Sequence, residues 1–102
     1  MEIMLQYFDD CPNWRVTDRH LSTLVGEGLD ATVALQRIEN FNNAIEHGFR
    51  GSPTVLIDGV DPFTHNEAPW GLSCRIYDTE SGPAGSPTLE QLRAVIATRE
   101  ET

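Results

Sequence analysis

The sequence predicts a small α/β domain with the element order β-α-β-α-β-β-α. Apolar runs of strand length alternate along the chain with segments whose apolar residues recur at helical spacing. The first run, about residues 2–9, is apolar on both faces, which is typical of a central strand covered on both sides. The next strand is expected to lie parallel to it, after a right-handed crossover. The length of 102 residues fits one domain, spanning residues 1–102.

The first half of the chain contains two predicted helices, each followed by glycine, which is a helix stop signal. Asparagine before the second helix is a good N-cap because its side chain accepts a hydrogen bond from a free backbone N–H group. The expected bounds are Asn13 to about Gly26 and Phe41–His47 for the helices, Asn40 or Asn42 for the second cap, Gly48 for the second stop, and Ala31–Glu39 for the second strand.

The second half combines strand, turn and helix signals. The expected elements are a strand at Thr54–Ile57, a turn at Asp58–Gly59, a strand at Leu72–Tyr77, an exposed loop at Thr79–Ser86, and a last helix with Ser86 as N-cap and Pro87 at its first position. Residues 59–71 are longer than the usual connection between two paired strands. This segment is either a functional cover or a packing flap, and both interpretations stay open.

Composition limits the function classes. The formal net charge is −9, which argues against non-specific nucleic-acid binding because that needs a basic surface. Two cysteines cannot build a disulfide scaffold, so the core is expected to be apolar. Neither a basic leader with an apolar run nor a segment of membrane-spanning length is apparent. We therefore expect a cytoplasmic protein without a membrane or nucleic-acid partner.

Cys11 stands between the first strand and the first helix. A thiol at this junction points toward the helix N-terminus, where free N–H groups and the macrodipole favour negative charge. This setting stabilises the thiolate, which is the reactive form. Asp9 and Asp10 oppose the effect by repulsion, whereas Arg15 and Arg50 can offset them. Cys11 is therefore a candidate nucleophile, and the alternative is a small apolar residue that ends a buried strand.

The Gly-Ser-Pro-Thr sequence at 51–54 is a second signal, because a proline before a strand can adopt a cis peptide bond. Together with Cys11 and the element order, the segment Gly48–Gly59 resembles the thioredoxin-like superfamily over essentially the whole chain. This resemblance implies a four-stranded mixed sheet with helices on both faces. It also implies that Cys11 is the nucleophile and Pro53 the cis-proline.

The resemblance further implies that the backbone of Ser52 pairs with an extended substrate, with the Ser52 hydroxyl facing the thiol. Pro12, Trp14 and Arg50 are further candidate substrate-binding residues, Arg50 through a substrate carboxylate. Trp14 stands where redox enzymes of the family often carry a second cysteine, which leaves monothiol chemistry. The chain also resembles small bacterial proteins labelled as relatives of organomercurial lyase, and no residue roles are transferred from that enzyme.

Cys74 is the other cysteine. In the expected strand order, the strand beginning at Thr54 separates it from Cys11 by about 9.5 Å. A disulfide tolerates about 7 Å between Cα atoms. Cys74 is therefore predicted to be a core cysteine, and pairing requires that it lies in the long loop or that this loop moves. The three histidines, His20, His47 and His65, lack metal-ligand spacing, so neither a metal site nor a cofactor is predicted.

Three functions remain. The leading hypothesis is a thiol–disulfide oxidoreductase of monothiol type that acts on a protein or a low-molecular-weight thiol or disulfide. The second is a non-catalytic binding module. It holds a peptide or partner with the loop around Pro53, which we call the proline loop, and with residues 59–71. The third is handling of a soft metal or organometal by Cys11 with a second sulfur, because soft cations prefer thiolates. Such a two-sulfur site meets the same distance limit as the disulfide.

Overall fold

The computed structural model describes residues 1–63 and 72–101. These residues form three helices and five strands, arranged as one three-stranded sheet and one two-stranded sheet. In chain order the elements are β1 (Glu2–Tyr7), α1 (Trp14–Gly26), β2 (Thr32–Arg37), α2 (Phe41–His47), β3 (Thr54–Ile57), β4 (Tyr77–Thr79), β5 (Gly82–Ala84) and α3 (Leu89–Glu100).

The three-stranded sheet has the order β2-β1-β3, so the first strand is central as predicted. It pairs in parallel with β2, where Ile3 lies opposite Val33, and antiparallel with β3, where Ile3 lies opposite Ile57. Because side chains alternate between the faces of a strand, this register puts the largest apolar residues of β1 and β3 on one face. That face forms the main core.

The main core lies between this face and the helices α1 and α3. Its buried members include Ile3, Leu5, Val55 and Ile57 from the sheet, Leu21 and Leu24 from α1, and Leu92 and Ile96 from α3. Complete burial of one such side chain stabilises the fold by about 1.5–3 kcal/mol. A second, smaller cluster of Ile38, Ala44 and Phe49 attaches the short helix α2. The two clusters hold the carboxyl end of β1, and hence the chain around Cys11, in place.

The predicted thioredoxin-like sheet of four strands, with helices on both faces, is wrong. Leu72–Tyr77 does not form the fourth strand: Cys74 makes one isolated parallel bridge to Ser52. The following residues, Tyr77–Thr79, instead pair antiparallel with Gly82–Ala84. This hairpin also corrects the predicted exposed loop at Thr79–Ser86, and it closes through Gly82, whose φ of 103° suits glycine.

The second face of the three-stranded sheet is only partly covered, although the predicted fold has helices on both faces. This face carries an open cleft of about 580 Å³, lined by residues that include Met4, Gln6, Ala34 and Leu56. The helix α2 has seven residues, about two turns, and reaches this cleft with its last residues Glu46 and His47.

The structure confirms the predicted helix α2 and the predicted turn after β3. Asn40 is the N-cap and accepts a hydrogen bond from the backbone N–H of Asn43 at 2.8 Å, and Gly48 is the C-cap. Asp58 and Gly59 both have positive φ angles, 50° and 84°, as a type I′ turn requires. These turns and caps depend on residues adjacent in the chain, which is why they were predictable.

The predicted start of the last helix is wrong by two residues. Thr88, not Ser86, is the N-cap, and Leu89 is the first helical residue instead of Pro87. The Thr88 hydroxyl accepts a hydrogen bond from the Gln91 backbone N–H at 3.0 Å, and the Gln91 side chain accepts one from the Thr88 N–H at 3.0 Å. This reciprocal capping box satisfies two backbone donors, which makes Thr88 the better start.

No helix in the two described ranges has both the length and the apolar character needed to cross a membrane. The predicted segment 59–71 falls mostly outside these ranges, and so does His65.

Thr88→Ala is expected to lower the free energy of unfolding by about 1 kcal/mol, because the Gln91 backbone N–H loses its acceptor. Urea unfolding followed by circular dichroism measures the change. Thr98→Ala is the matched control, since its hydroxyl donates to the Ala94 carbonyl within the same helix and caps no free N–H group. An equal loss in both variants would show that the capping box contributes nothing specific.

Candidate functional site

Cys11 and Cys74 form a disulfide across 63 residues of sequence, with their Cα atoms 5.7 Å apart. The prediction that a strand separates the two cysteines is therefore wrong. It assumed that Leu72–Tyr77 lies outside β3 as a full strand. Instead, the chain bearing Cys74 passes Ser52, two residues before β3, beside the junction that carries Cys11.

Two backbone hydrogen bonds hold the segment 73–75 at this position. The Ser52 N–H donates to the Ser73 carbonyl at 2.8 Å, and the Arg75 N–H donates to the Ser52 carbonyl at 3.0 Å. Gly51 allows this close approach: its φ is 122°, and a Cβ there would lie 3.0 Å from the Arg75 Cβ. Any larger residue at position 51 would both strain the backbone and push the segment away.

The two sulfurs differ in access to solvent. Cys11 is completely buried, whereas Cys74 is an exposed residue. The apolar residues Leu72 and Ile76 on either side of Cys74 are also exposed, at 40% and 66%. Of the two cysteines, Cys74 is therefore the one that an incoming thiol can reach from solvent.

Two polar groups lie close to the Cys11 sulfur, and they act in opposite directions. The Asn13 Nδ2 amide, a donor, is 3.7 Å from Sγ, and the Ser52 carbonyl oxygen, an acceptor, is 3.5 Å from it. The amide and the start of α1 favour a thiolate, whereas the carbonyl favours a protonated thiol that can donate to it. Gly85 leaves the space that the Asn13 side chain occupies, because a Cβ at position 85 would overlap it.

The other predicted site residues surround this pair. The Ser52–Pro53 peptide bond is cis, as predicted. The Ser52 backbone is already paired with the chain itself, and the Ser52 hydroxyl accepts from the Phe8 N–H at 3.3 Å. The Ser52 carbonyl oxygen lies beside the Cys11 sulfur, whereas the hydroxyl that was expected there bonds to Phe8.

Pro12, Trp14 and Arg50 lie in the segments next to the site. Pro12 is exposed, and its carbonyl accepts from the Arg15 N–H at 3.1 Å in the first turn before α1. Trp14 is partly buried and stacks on Tyr7 with 4.2 Å between ring centroids. Arg50 is partly buried beside Gly51 in the proline loop.

The acidic residues next to Cys11 are directed to the surface. Asp9 forms a salt bridge with Arg37 at 2.8 Å, and both side chains are 56% exposed. Asp10 is also exposed. Solvent screens such charges strongly, so their repulsion of a thiolate at Cys11 is weak. Arg15 lies over the Trp14 ring, 5.5 Å from its centroid.

Arg75, next to Cys74, is the most strongly tied residue of the segment. Its guanidinium makes two bonds to the Asp61 carboxylate, at 2.6 and 3.3 Å, and donates to the Phe63 carbonyl at 3.0 Å. It also donates to the Thr54 hydroxyl at 3.3 Å. The Arg75 and Asp61 side chains are only 11% and 14% exposed. Water therefore screens this ion pair much less than an exposed one.

Tyr77 supports the proline loop through a hydrogen bond to Pro53. Its hydroxyl donates to the Pro53 carbonyl at 2.5 Å, and its ring makes an edge contact with Phe63 and lies 4.7 Å from the Arg75 guanidinium carbon. Burial raises the pKa of the Tyr77 hydroxyl well above its usual value, because the ionised form would lose its hydration. Tyr77 thus remains a neutral donor under ordinary conditions.

A search of the described ranges finds no cluster of three or more His, Cys, Asp or Glu residues able to hold a metal ion. His20 and His47 lie on different helices, α1 and α2. The two sulfurs, by contrast, lie together.

No family model, no curated protein and no solved structure matches this chain. The thioredoxin-like resemblance stays a prediction.

Cys74 was predicted to be a core cysteine, and Arg75, Asp61 and Tyr77 were not among the predicted site residues. A usable signal did exist: Cys74 is the second of only two cysteines, and it follows the long segment 59–71. Asp61 lies within that segment, and Arg75 follows it. No periodic pattern marks such isolated contacts, so only the structure reveals them.

Tyr77 is expected to make stability fall at alkaline pH. Because its pKa is raised on folding, the unfolded chain releases the proton first; the free energy of unfolding is unaffected well below pH 10 and falls above it, by up to about 1.4 kcal/mol per pH unit. Tyr77→Phe should remove this loss, although it costs about 1 kcal/mol at pH 7 through the lost hydrogen bond.

Urea unfolding of the disulfide form at pH values between 8 and 11 measures the effect. The chain has no lysine, so no lysine side chain titrates in this pH range. Tyr7→Phe, the other tyrosine variant, is the matched control and should retain the alkaline loss. The assignment fails if Tyr77→Phe shows the same pH slope as the unmodified chain.

Proposed function

We propose that the protein is a thiol–disulfide oxidoreductase in which Cys74 is the outer, attacking sulfur and Cys11 the inner, resolving sulfur. The observation that carries this proposal is the disulfide between one buried and one exposed cysteine. Exchange needs a sulfur that an external thiolate can reach, and Cys74 is the exposed residue of the pair. The proposal differs from the monothiol hypothesis because Cys74 supplies the second sulfur.

In the dithiol state, the Cys74 thiolate attacks a substrate disulfide. A bond forms between Cys74 Sγ and one substrate sulfur, and the other substrate sulfur leaves as a thiolate and takes up a proton. The Cys11 thiolate then attacks Cys74 Sγ, which forms the internal disulfide and releases the remaining substrate thiolate. The substrate gains the two electrons and two protons that the protein dithiol loses.

An external low-molecular-weight thiol restores the dithiol. Its thiolate attacks Cys74 Sγ, the internal S–S bond breaks, and Cys11 leaves as a thiolate. A second thiol molecule attacks the external sulfur of the mixed disulfide and releases Cys74. The Asn13 amide and the N-terminus of α1 support the departure of Cys11, because both favour negative charge on its sulfur.

The surroundings of Cys74 favour a substrate with apolar character. Leu72 and Ile76 flank it in exposed positions, and Pro12 and Trp14 follow its bonded partner Cys11 in the chain. Arg50, in the proline loop, is the proposed partner of a substrate carboxylate. Both a protein disulfide and a small-molecule disulfide satisfy these conditions.

A purely structural disulfide is the principal alternative, and it fits the binding-module hypothesis. Closing a loop of 63 residues stabilises a fold by about 4 kcal/mol in the chain-entropy model. The disulfide also removes the distance objection to a two-sulfur soft-metal site, because the Cα atoms are 5.7 Å apart. These alternatives require no exchange at Cys74 in the folded protein, which separates them from the proposal.

Cys11→Ser is expected to form a stable mixed disulfide at Cys74 when it is treated with glutathione disulfide, since the resolving sulfur is missing. Cys74→Ser is its matched control: its remaining thiol is the buried one and should react at least about tenfold more slowly. Acid quenching and intact-mass measurement give both rates. Faster reaction of Cys74→Ser would assign the attack to Cys11.

The unmodified protein is expected to catalyse reduction of a peptide disulfide by glutathione, and neither cysteine variant should match it. The same experiment distinguishes the structural alternative. If reduction of the internal disulfide occurs only at the rate of global unfolding, and rises with urea accordingly, the disulfide is a structural crosslink and the oxidoreductase proposal is wrong.

A further inference from the structure

The segment 73–75 has two kinds of attachment to the rest of the protein. One is covalent, through the disulfide of Cys74. The other is non-covalent, through the Ser52 bridge and the Arg75 side chain. Reduction removes only the first. The position of Cys74 in the dithiol state therefore depends on how well the second attachment holds.

The hydrogen bonds of the Arg75 guanidinium, which we call the Arg75 anchor, are strong and largely buried. Its guanidinium is bound by the Asp61 carboxylate through two bonds and by the Phe63 carbonyl through a third, in a largely buried position. Charged, bidentate hydrogen bonds of this kind are among the stronger polar interactions in proteins. Asp61 itself lies only one residue after the turn that ends β3, because Val60 pairs with Ile57. The anchor is thus tied to the three-stranded sheet.

We propose that Arg75 and Asp61 are positioning residues for the thiol pair: their ion pair keeps the segment 73–75 at Ser52 when both cysteines are reduced, so that Cys74 stays within bonding distance of Cys11. This inference rests on the thiol–disulfide chemistry proposed above. Closing the disulfide then costs little further conformational entropy, because the segment 73–75 is already in place. Without the anchor, the dithiol state gains conformational freedom, and re-forming the disulfide costs the corresponding entropy.

The thiol–disulfide equilibrium measures this role directly. Equilibration with mixtures of glutathione and glutathione disulfide, at fixed pH, gives the ratio of disulfide to dithiol protein. We expect Arg75→Met to shift this equilibrium about tenfold toward the dithiol. For a two-electron couple, that corresponds to a reduction potential higher by about 30 mV. Arg75→Lys, which retains charge but not the two-bond geometry, should give a smaller shift in the same direction.

Asp61→Asn separates positioning from electrostatics. Arg75 is positive and stabilises a thiolate at Cys74, so loss of that charge alone would favour the disulfide; loss of the Asp61 charge alone would favour the dithiol. Positioning predicts instead that both substitutions favour the dithiol. Opposite shifts in Arg75→Met and Asp61→Asn would overturn the inference, and so would the absence of a shift in both.

Arg93→Met and Glu27→Gln are the matched controls, because these residues form an ion pair between α3 and the end of α1, with both side chains about half exposed. They should leave the equilibrium unchanged. A change of equal size in the controls would show that lost stability, rather than positioning, moves it. Should Arg75→Met fail to fold, Arg75→Lys and Asp61→Asn give the same comparison.

The equilibrium is approached from the disulfide form and from protein refolded as the dithiol. This design keeps the two proposals apart. A disulfide that exchanges slowly in the folded state counts against the oxidoreductase proposal. Equilibrium constants that agree from both directions and do not differ between the Arg75 variants and the unmodified chain count against the positioning role.

Discussion

The parallel bridge between Ser52 and the segment 73–75 is the constraint on which the site depends. Two backbone hydrogen bonds bring Cys74 to Cys11, and neither involves a side chain. Gly51 makes room for them, and the cis peptide bond of Pro53 follows immediately. The disulfide, the exposure of Cys74 and the approach of Arg75 to Asp61 all require the chain to pass Ser52 in this way. Everything proposed for the two sulfurs is a consequence of this one contact.

The elements that the sequence predicts well are those specified by neighbouring residues. The apolar run of β1, the Asn40 cap, the Asp58–Gly59 turn and the cis-proline each have a signal within a few residues. The wrong start of the last helix also has a local origin. Ser86 and Thr88 are both suitable N-caps, and the capping box with Gln91 favours Thr88. Local interactions thus account for these individual elements, whereas the number of strands in the sheet depends on contacts between distant segments.

The site could not be predicted in the same way, because it is built from isolated contacts between distant segments. Ser52 and Cys74 form a single bridge, and no alternating pattern marks a bridge of one residue. Leu72 and Ile76 were predicted to belong to a strand, although both are exposed. That predicted strand put two strand spacings, about 9.5 Å, between two cysteines that are bonded. A strand pattern that contains exposed apolar residues can equally describe a segment that flanks a surface site.

The disulfide lies apart from the packing of the main core, which is the arrangement that the proposed exchange at Cys74 requires. Cys74 is exposed, and Cys11, although fully buried, is not among the residues of the cluster between the sheet and the helices α1 and α3. The segment 73–75 is also held by the Ser52 bridge, by the Arg75 ion pair and, two residues further on, by the Tyr77 hydrogen bond to Pro53. The core packing and these polar contacts involve neither sulfur, so the proposed exchange at Cys74 does not require that they be lost. A crosslink of this kind stabilises mainly by restricting the unfolded chain, and this holds for a structural disulfide and for an exchanging one alike.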